Sequence, residues 1–345
     1  MIPADILRIV AVGELLLAVA LGVTLLIAAS WRARSDRRQR ADMARGRPIM
    51  IATVARDLTA SEVAALERLG RRTQVRLLAE IAPSLSGERR ARLGAVAVRL
   101  GIARSAESAC RSRRWWRRLQ GARLLTLIGA GDEVMPALLG DGHPLVRAQA
   151  AEWASDHPTA ATLRLLVALL DDPHRIARFA VQDTLLRVGH PAIGVLAEGL
   201  LRMSARGIEA GLAVASRVVD PRLIPIAAAL AEHDLGDVRA AAARALGAQG
   251  GEVAVQVLTR LIEDEDPRVR AAAAASLGRL EHWPSATRLL PLLSDPSWSV
   301  RRESALALRA MGAPGAVILR TALTGEDRFA ADIAAQALAL RLGPA

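Results

Sequence analysis

Residues 266–278 read Asp266-Pro267-Arg268-Val269-Arg270-Ala271-Ala272-Ala273-Ala274-Ala275-Ser276-Leu277-Gly278. The pattern recurs about 31 residues to either side: Val300-Arg301 follows Asp295-Pro296, and Val238-Arg239 opens a run that ends Ala245-Leu246-Gly247. Self-similarity at a period of roughly 20–50 residues is the signature of a repeat array. Each tile reads as a helical hairpin that cannot bury its apolar face alone, so neighbours must stack into one continuous core.

Extending the register places the starts of successive second helices near Arg118, Arg147, Ala177-Arg178, Glu209, Arg239, Arg270, Arg301 and Asp332. First helices fall between them, over 132–140, 159–170, 191–203, 221–231, 252–263, 284–293 and 314–324. Asp172-Pro173, Asp266-Pro267 and Asp295-Pro296 sit in the loops. Asp before Pro suits a helix start, because the carboxylate accepts from free N–H groups and Pro lacks the one that would be orphaned. Gly189, Gly247, Gly278 and Gly312 fall near the ends of second helices, where a left-handed cap favours Gly.

These tiles resemble HEAT repeats of the short bacterial kind, and are similar to the repeats of phycocyanobilin lyase subunits. The match is clearest in 264–280, 294–312 and 233–250, and with register counted it covers roughly residues 112–343. The resemblance implies an all-α fold, a right-handed α-solenoid of stacked HEAT-like hairpins. It also implies that the recurring Asp and Arg pair between adjacent repeats as a structural ladder through Arg147, Arg239, Arg270 and Arg301. Glu209 and Asp332 stand where Arg is expected, so the ladder would be interrupted twice. The alternative is a row of Arg, with Arg178 among them, presented to an acidic ligand.

Composition supports close helix packing. The chain is 52% hydrophobic but only 2% aromatic, so Ala and Leu must fill the core. It contains no Lys, Asn or Tyr, and all 46 basic residues are Arg. The three missing residues have AT-rich codons, so genome base composition accounts for the Arg and weakens it as a sign of nucleic-acid binding. The net charge of +11 is uneven: residues 31–123 carry 23 Arg against 8 acids, and residues 124–345 carry 22 Arg against 25 acids. Cys110 is the only cysteine, which excludes an intrachain disulfide and a cysteine-based zinc site.

At the N-terminus, the only charge from Ile9 to Ala29 is Glu14. About 20 apolar residues cross a bilayer as a helix, so residues 1–30 are expected to be a single-pass transmembrane anchor preceding the solenoid. A cleaved signal peptide fits less well, because Arg32, Arg34, Arg37, Arg38 and Arg40 follow and resist translocation. The positive-inside rule then puts the array on the cytoplasmic side of a bacterial inner membrane. Trp31 and the five Arg would lie at its surface against anionic lipid. Glu14 either lies near the outer end of the span and snorkels or is protonated, or it contacts a partner helix within the membrane. Residues 31–58 read as an Arg-rich juxtamembrane linker, and residues 59–111 as a divergent helical cap opened by the capping box Thr59-Ala60-Ser61-Glu62. Residues 112–345 are the array. At its start, Ser112-Arg113-Arg114-Trp115-Trp116-Arg117-Arg118-Leu119 forms a basic-aromatic patch. Trp115 and Trp116 either pack on the neighbouring hairpin or meet a partner or lipid.

No motif for chemistry emerges. There is no phosphate-binding Gly loop with its Lys, no Gly-x-Ser-x-Gly elbow and no His-Glu-x-x-His. The six His sit mostly in loops. Asp171-Asp172 and Glu263-Asp264-Glu265-Asp266 read as caps and solvated charge rather than a divalent-cation site. No catalytic residue, cofactor or metal is expected. The function that follows is a membrane-anchored, non-catalytic scaffold that binds protein, plausibly a membrane-associated envelope enzyme. The candidate binding residues are Arg147, Arg178, Arg239, Arg270, Arg301, Trp115 and Trp116. One alternative, resting on the repeats, is an enzyme subunit of the bilin-lyase type. A weaker one is nucleic-acid binding, as in HEAT-like alkylpurine DNA glycosylases. The near-neutral array speaks against it, since such a binder should be positive along one face.

Overall fold

The computed structural model describes the chain from Ala4 to Leu340, with side chains from Leu21 onward apart from Arg32. All regular structure among the described residues is helical. The chain divides into two compact units, residues 1–111 with 123–131, and residues 112–122 with 132–345.

The first unit begins with one helix of 52 residues, Ala4–Ala55. It does not end at the apolar run. Arg is a good helix former, and the Arg-rich stretch expected as a linker continues the helix through Pro48. Met50 and Thr53 near its end are buried, and Gly46 allows a close approach there. The helix ends where Arg92 Nη1 donates to the carbonyl of Ala55 at 3.1 Å. Arg71 likewise donates to the carbonyl of Leu100, just past the helix Gly87–Arg99. Part of the Arg excess in this unit thus satisfies helix C-termini, whose last carbonyls have no partner of their own. Thr59 and Glu62 form the expected capping box.

The expected membrane anchor is overturned. Among the described residues, no helix is long and apolar enough to cross a membrane. The apolar run and the Arg-rich stretch after it lie on one continuous helix, Ala4–Ala55. The inner-membrane location falls with the anchor. Glu14 and Arg32 lie outside the described side chains. Trp31, Arg34, Arg37, Arg38 and Arg40 are exposed.

The second unit is a stack of hairpins. Its second helices start at Trp115, Pro144, Arg175, Ala205, Gly236, Pro267, Trp298 and Arg328. Each begins about one turn before the residue on which the sequence register was set, so those residues lie within the helix rather than at its mouth. Second helices pack on second helices, most extensively in the run from Gly236–Gln249 through Pro267–Arg279 to Trp298–Ala310. Small side chains make this possible. A Cβ on Gly278 would come within 2.5 Å of Ala307 Cα, and one on Gly247 within 2.4 Å of Ser276 Cβ. Gly247 and Gly278 are therefore spacers inside helices, whereas Gly189 and Gly312 take the positive φ expected of all four. Ser276 Oγ donates to the carbonyl of Ala243, and Thr184 Oγ1 in the same register position donates to that of Ala151. These bonds tie neighbouring second helices inside the core.

Candidate functional site

The Arg residues set by the repeat register share one geometry. Each sends Nη1 back to the backbone carbonyl six residues earlier, in the loop that leads into its own helix. Arg147 reaches Asp141, Arg178 reaches Asp172, Arg239 reaches His233, Arg270 reaches Asp264 and Arg301 reaches Asp295. The other edge of the guanidinium points forward. Arg147 grips Asp172 with Nε and Nη2 at 2.5 and 2.8 Å, Arg239 grips Asp264 at 2.8 and 2.8 Å, and Arg270 grips Asp295 at 2.8 and 3.0 Å. Arg118 makes the same fork with Asp141. The acid in turn accepts the backbone N–H two residues on, at His143, His174, Asp266 and Ser297.

Burial pushes these four carboxyls up. The Arg forks and the N–H bonds outweigh it, and Asp141, Asp172, Asp264 and Asp295 all titrate below the ordinary Asp range. Arg147 and Asp172 are buried outright. The donors of Arg147, Arg239 and Arg270 are thus used within the chain. The dipeptide Asp-Pro performs two jobs. Asp266 caps its helix, accepting from Arg268 N–H, as the sequence suggests. Asp172 and Asp295 instead serve as acceptors of the ladder, three residues before the helix begins.

The ladder lapses at Arg178, at Glu209, where the register has no Arg, and at Arg301. No carboxylate meets the forward edge of Arg178 among the described residues, and the residue 25 positions on is Met203. Among the described residues no carboxylate bonds Arg301, although Asp327 feels its charge, and Arg301 lies 5.2 Å from the centre of the Phe329 ring.

Beside Arg178 lies the feature that the sequence reading missed. Ile176 and Phe179 are 56% and 67% exposed on the helix Arg175–Val188. They line an open groove of about 970 Å³ with Pro144, Pro173 and Ala180, and Arg175 and Asp183 stand at its edge. On its other side Phe179 borders a smaller cleft against Ala213 and Val214. A signal existed in the tile alignment. The residue after the register Arg is Ala in tiles 147, 239 and 270, and Phe only at 179.

Other aromatics also emerge near the first turns of second helices. Trp115 is 37% and Trp116 45% exposed. Trp115 stacks on His143 of the next hairpin with centroids 3.8 Å apart, so the pair is only partly packed. Arg114 lies over Trp116. Trp298 is exposed beneath Arg302. Among the described residues, no group of three or more His, Cys, Asp and Glu is arranged to hold a metal. Burial raises the Cys110 thiol to about 11, which leaves it a poor nucleophile.

Comparison with known proteins adds the fold family. A model of HEAT repeats matches residues 202–278 and 257–339. No curated protein matches the sequence. Among solved structures, a chain of the Kap95:Nup1 complex is similar over 86% of this chain and 49% of its own, at 12% identity and a TM-score of 0.52. A chain of the Kap95p–RanGDP structure is similar over 81% and 47%, at 12% identity and a TM-score of 0.50. This chain spans about half the length of both. E. coli YibA is 18% identical over 82% of this chain and 97% of its own, with a TM-score of 0.37. The tile pattern, the stacked second helices and the family match together make residues 202–339 HEAT repeats.

Proposed function

We propose that the second unit is a non-catalytic scaffold that holds a partner protein on the groove around Ile176 and Phe179. The observation that carries this is a large apolar groove left open beside a ladder whose Arg147, Arg239 and Arg270 are paired within the chain. Contiguous exposed apolar surface with a charged rim is characteristic of protein contact sites. The occupant is a segment of a partner protein with apolar side chains on one face and an acid toward Arg175. Phe179, flanked by depressions on both sides, is the anchor. Arg178, with its forward donors unpaired, lies next to it. The fold is consistent with this use, since the Kap95 chains of similar fold were solved with Nup1 and with RanGDP.

The test compares the tagged chain with Phe179→Ala. Proteins recovered in near-stoichiometric amount by the first are identified, and their affinity for both is measured. The expected loss is at least about thirtyfold, with an unchanged melting curve. Equal affinity overturns the groove as the docking surface. Turnover of any recovered molecule that is lost with a single side chain overturns the non-catalytic reading.

A further inference from the structure

The first unit contains a separate polar groove, of about 490 Å³, between the helices Ala4–Ala55 and Arg71–Ile81. Gln39, Arg40, Met43 and Arg47 follow at helical spacing on one wall, and Arg76 and Glu80 stand on the other. At one end Arg47 donates to Glu80 and joins the two helices. Nearby, Gly46 lets the long helix press against Leu69 and Leu77, which a Cβ there would approach to 2.6 Å.

The remaining polar groups are donors in excess. Arg40 and Arg76 form no ion pair or side-chain hydrogen bond among the described residues, although both line the groove. Gln39 Nε2 is buried with no acceptor. An orphaned buried donor is destabilising and marks a place where an acceptor is missing. Of the two acids on the lining, Glu80 is taken by Arg47, leaving Asp36. Three Arg against two acids make the groove positive.

We infer that this groove binds a small soluble phosphorylated compound, whose phosphoryl oxygens accept from Arg40, Arg76 and Gln39. Guanidinium forks on two facing helices match the spread of phosphate oxygens, and the anion supplies the acceptors that the chain lacks. The volume falls within the range of small-molecule sites, about 300–1,000 Å³. This site shares no residue with the Phe179 groove and stands independently of it.

The experiment is calorimetric titration of the full chain at low salt with pyrophosphate and with glycerol 3-phosphate. Binding is expected, weakened at least about tenfold by Arg40→Gln and by Arg76→Gln. Neither Arg has a partner within the chain, so both variants should keep the parent melting temperature. Gln39→Leu separates binding from folding, because it should weaken the ligand while leaving the melting temperature unchanged or higher. No heat with either ligand at millimolar concentration overturns the inference, as does equal affinity in all four proteins. Binding confined to vesicles of phosphatidic acid, with none to either soluble phosphate, overturns it too.

Discussion

Two stretches of the second unit are built from the same tile and behave differently. Between Arg239 and Asp295, each register Arg is clamped to the loop behind it and the Asp ahead. Between Arg178 and Asp220, the clamp forward is missing. The loops there are joined instead by Ser204 on Asp171, and by Asp220 held between His190 and Arg222. Where the ladder runs, polar surface is consumed by the fold. Where it lapses, a guanidinium edge is left over, and beside it Ala is replaced by Phe179. The difference suggests that in such arrays the regular tile builds the scaffold and the departures from it mark the site.

The sharpest way to break this comparison is to remove a rung. Asp172→Ala strands the buried Arg147 guanidinium and should cost about 3–5 kcal/mol in denaturant unfolding. A cost below about 1 kcal/mol would mean that the ladder contributes little. Gly278→Ala attacks the same stretch through packing, since its Cβ meets the Ala307 backbone at 2.5 Å. About 1–3 kcal/mol is expected from overpacking, seen as an earlier unfolding midpoint.

Acid should weaken both stretches, since Asp220 too is held below the ordinary Asp range by its bond to Arg222. The folded pKa of each ladder Asp is depressed, so its contribution is fully present above the unfolded value near 4 and is lost as pH falls through the folded one. Melting followed by circular dichroism from pH 6 to pH 2 should show the decline starting below about pH 4. It should be shallower in a variant whose rungs are replaced by apolar pairs. Phe179→Ala should scarcely alter stability, and its effect belongs to partner binding. The smallest change is expected at Arg328→Gln. Its pair with Asp332 is 4.0 Å apart with both side chains exposed, and no measurable melting shift should follow.

Much of this was legible in the residues. Val269-Arg270 and its echoes set the register, and the helices follow it because Ala and Leu recur at spacings that only stacked hairpins can bury. The start of each second helix was misplaced by about a turn, because Arg marks the rung and not the cap. Gly247 and Gly278 carry the same letter as Gly189, yet their role depends on a neighbour about 30 residues away. The Arg-rich stretch reads as a linker only if dense charge stops a helix, whereas Arg is a good helix former and the helix runs on to Ala55. The position after the register residue departs from Ala at Leu119, Phe179, Arg302 and Ile333, and Phe179 is the aromatic among them. The open groove itself, and the orphaned amide of Gln39, needed three dimensions, since both arise from what a neighbouring helix fails to supply.

The two-handed grip of each rung Arg has a mechanical consequence. Load entering one loop is handed through a guanidinium to the next loop, always in the same sense along the chain, until Arg178, which reaches back to Asp172 but forward to no carboxylate among the described residues. Drawn from its ends, a stack of this kind should part first at that seam, giving a short segment and a long one that each recoil as a spring.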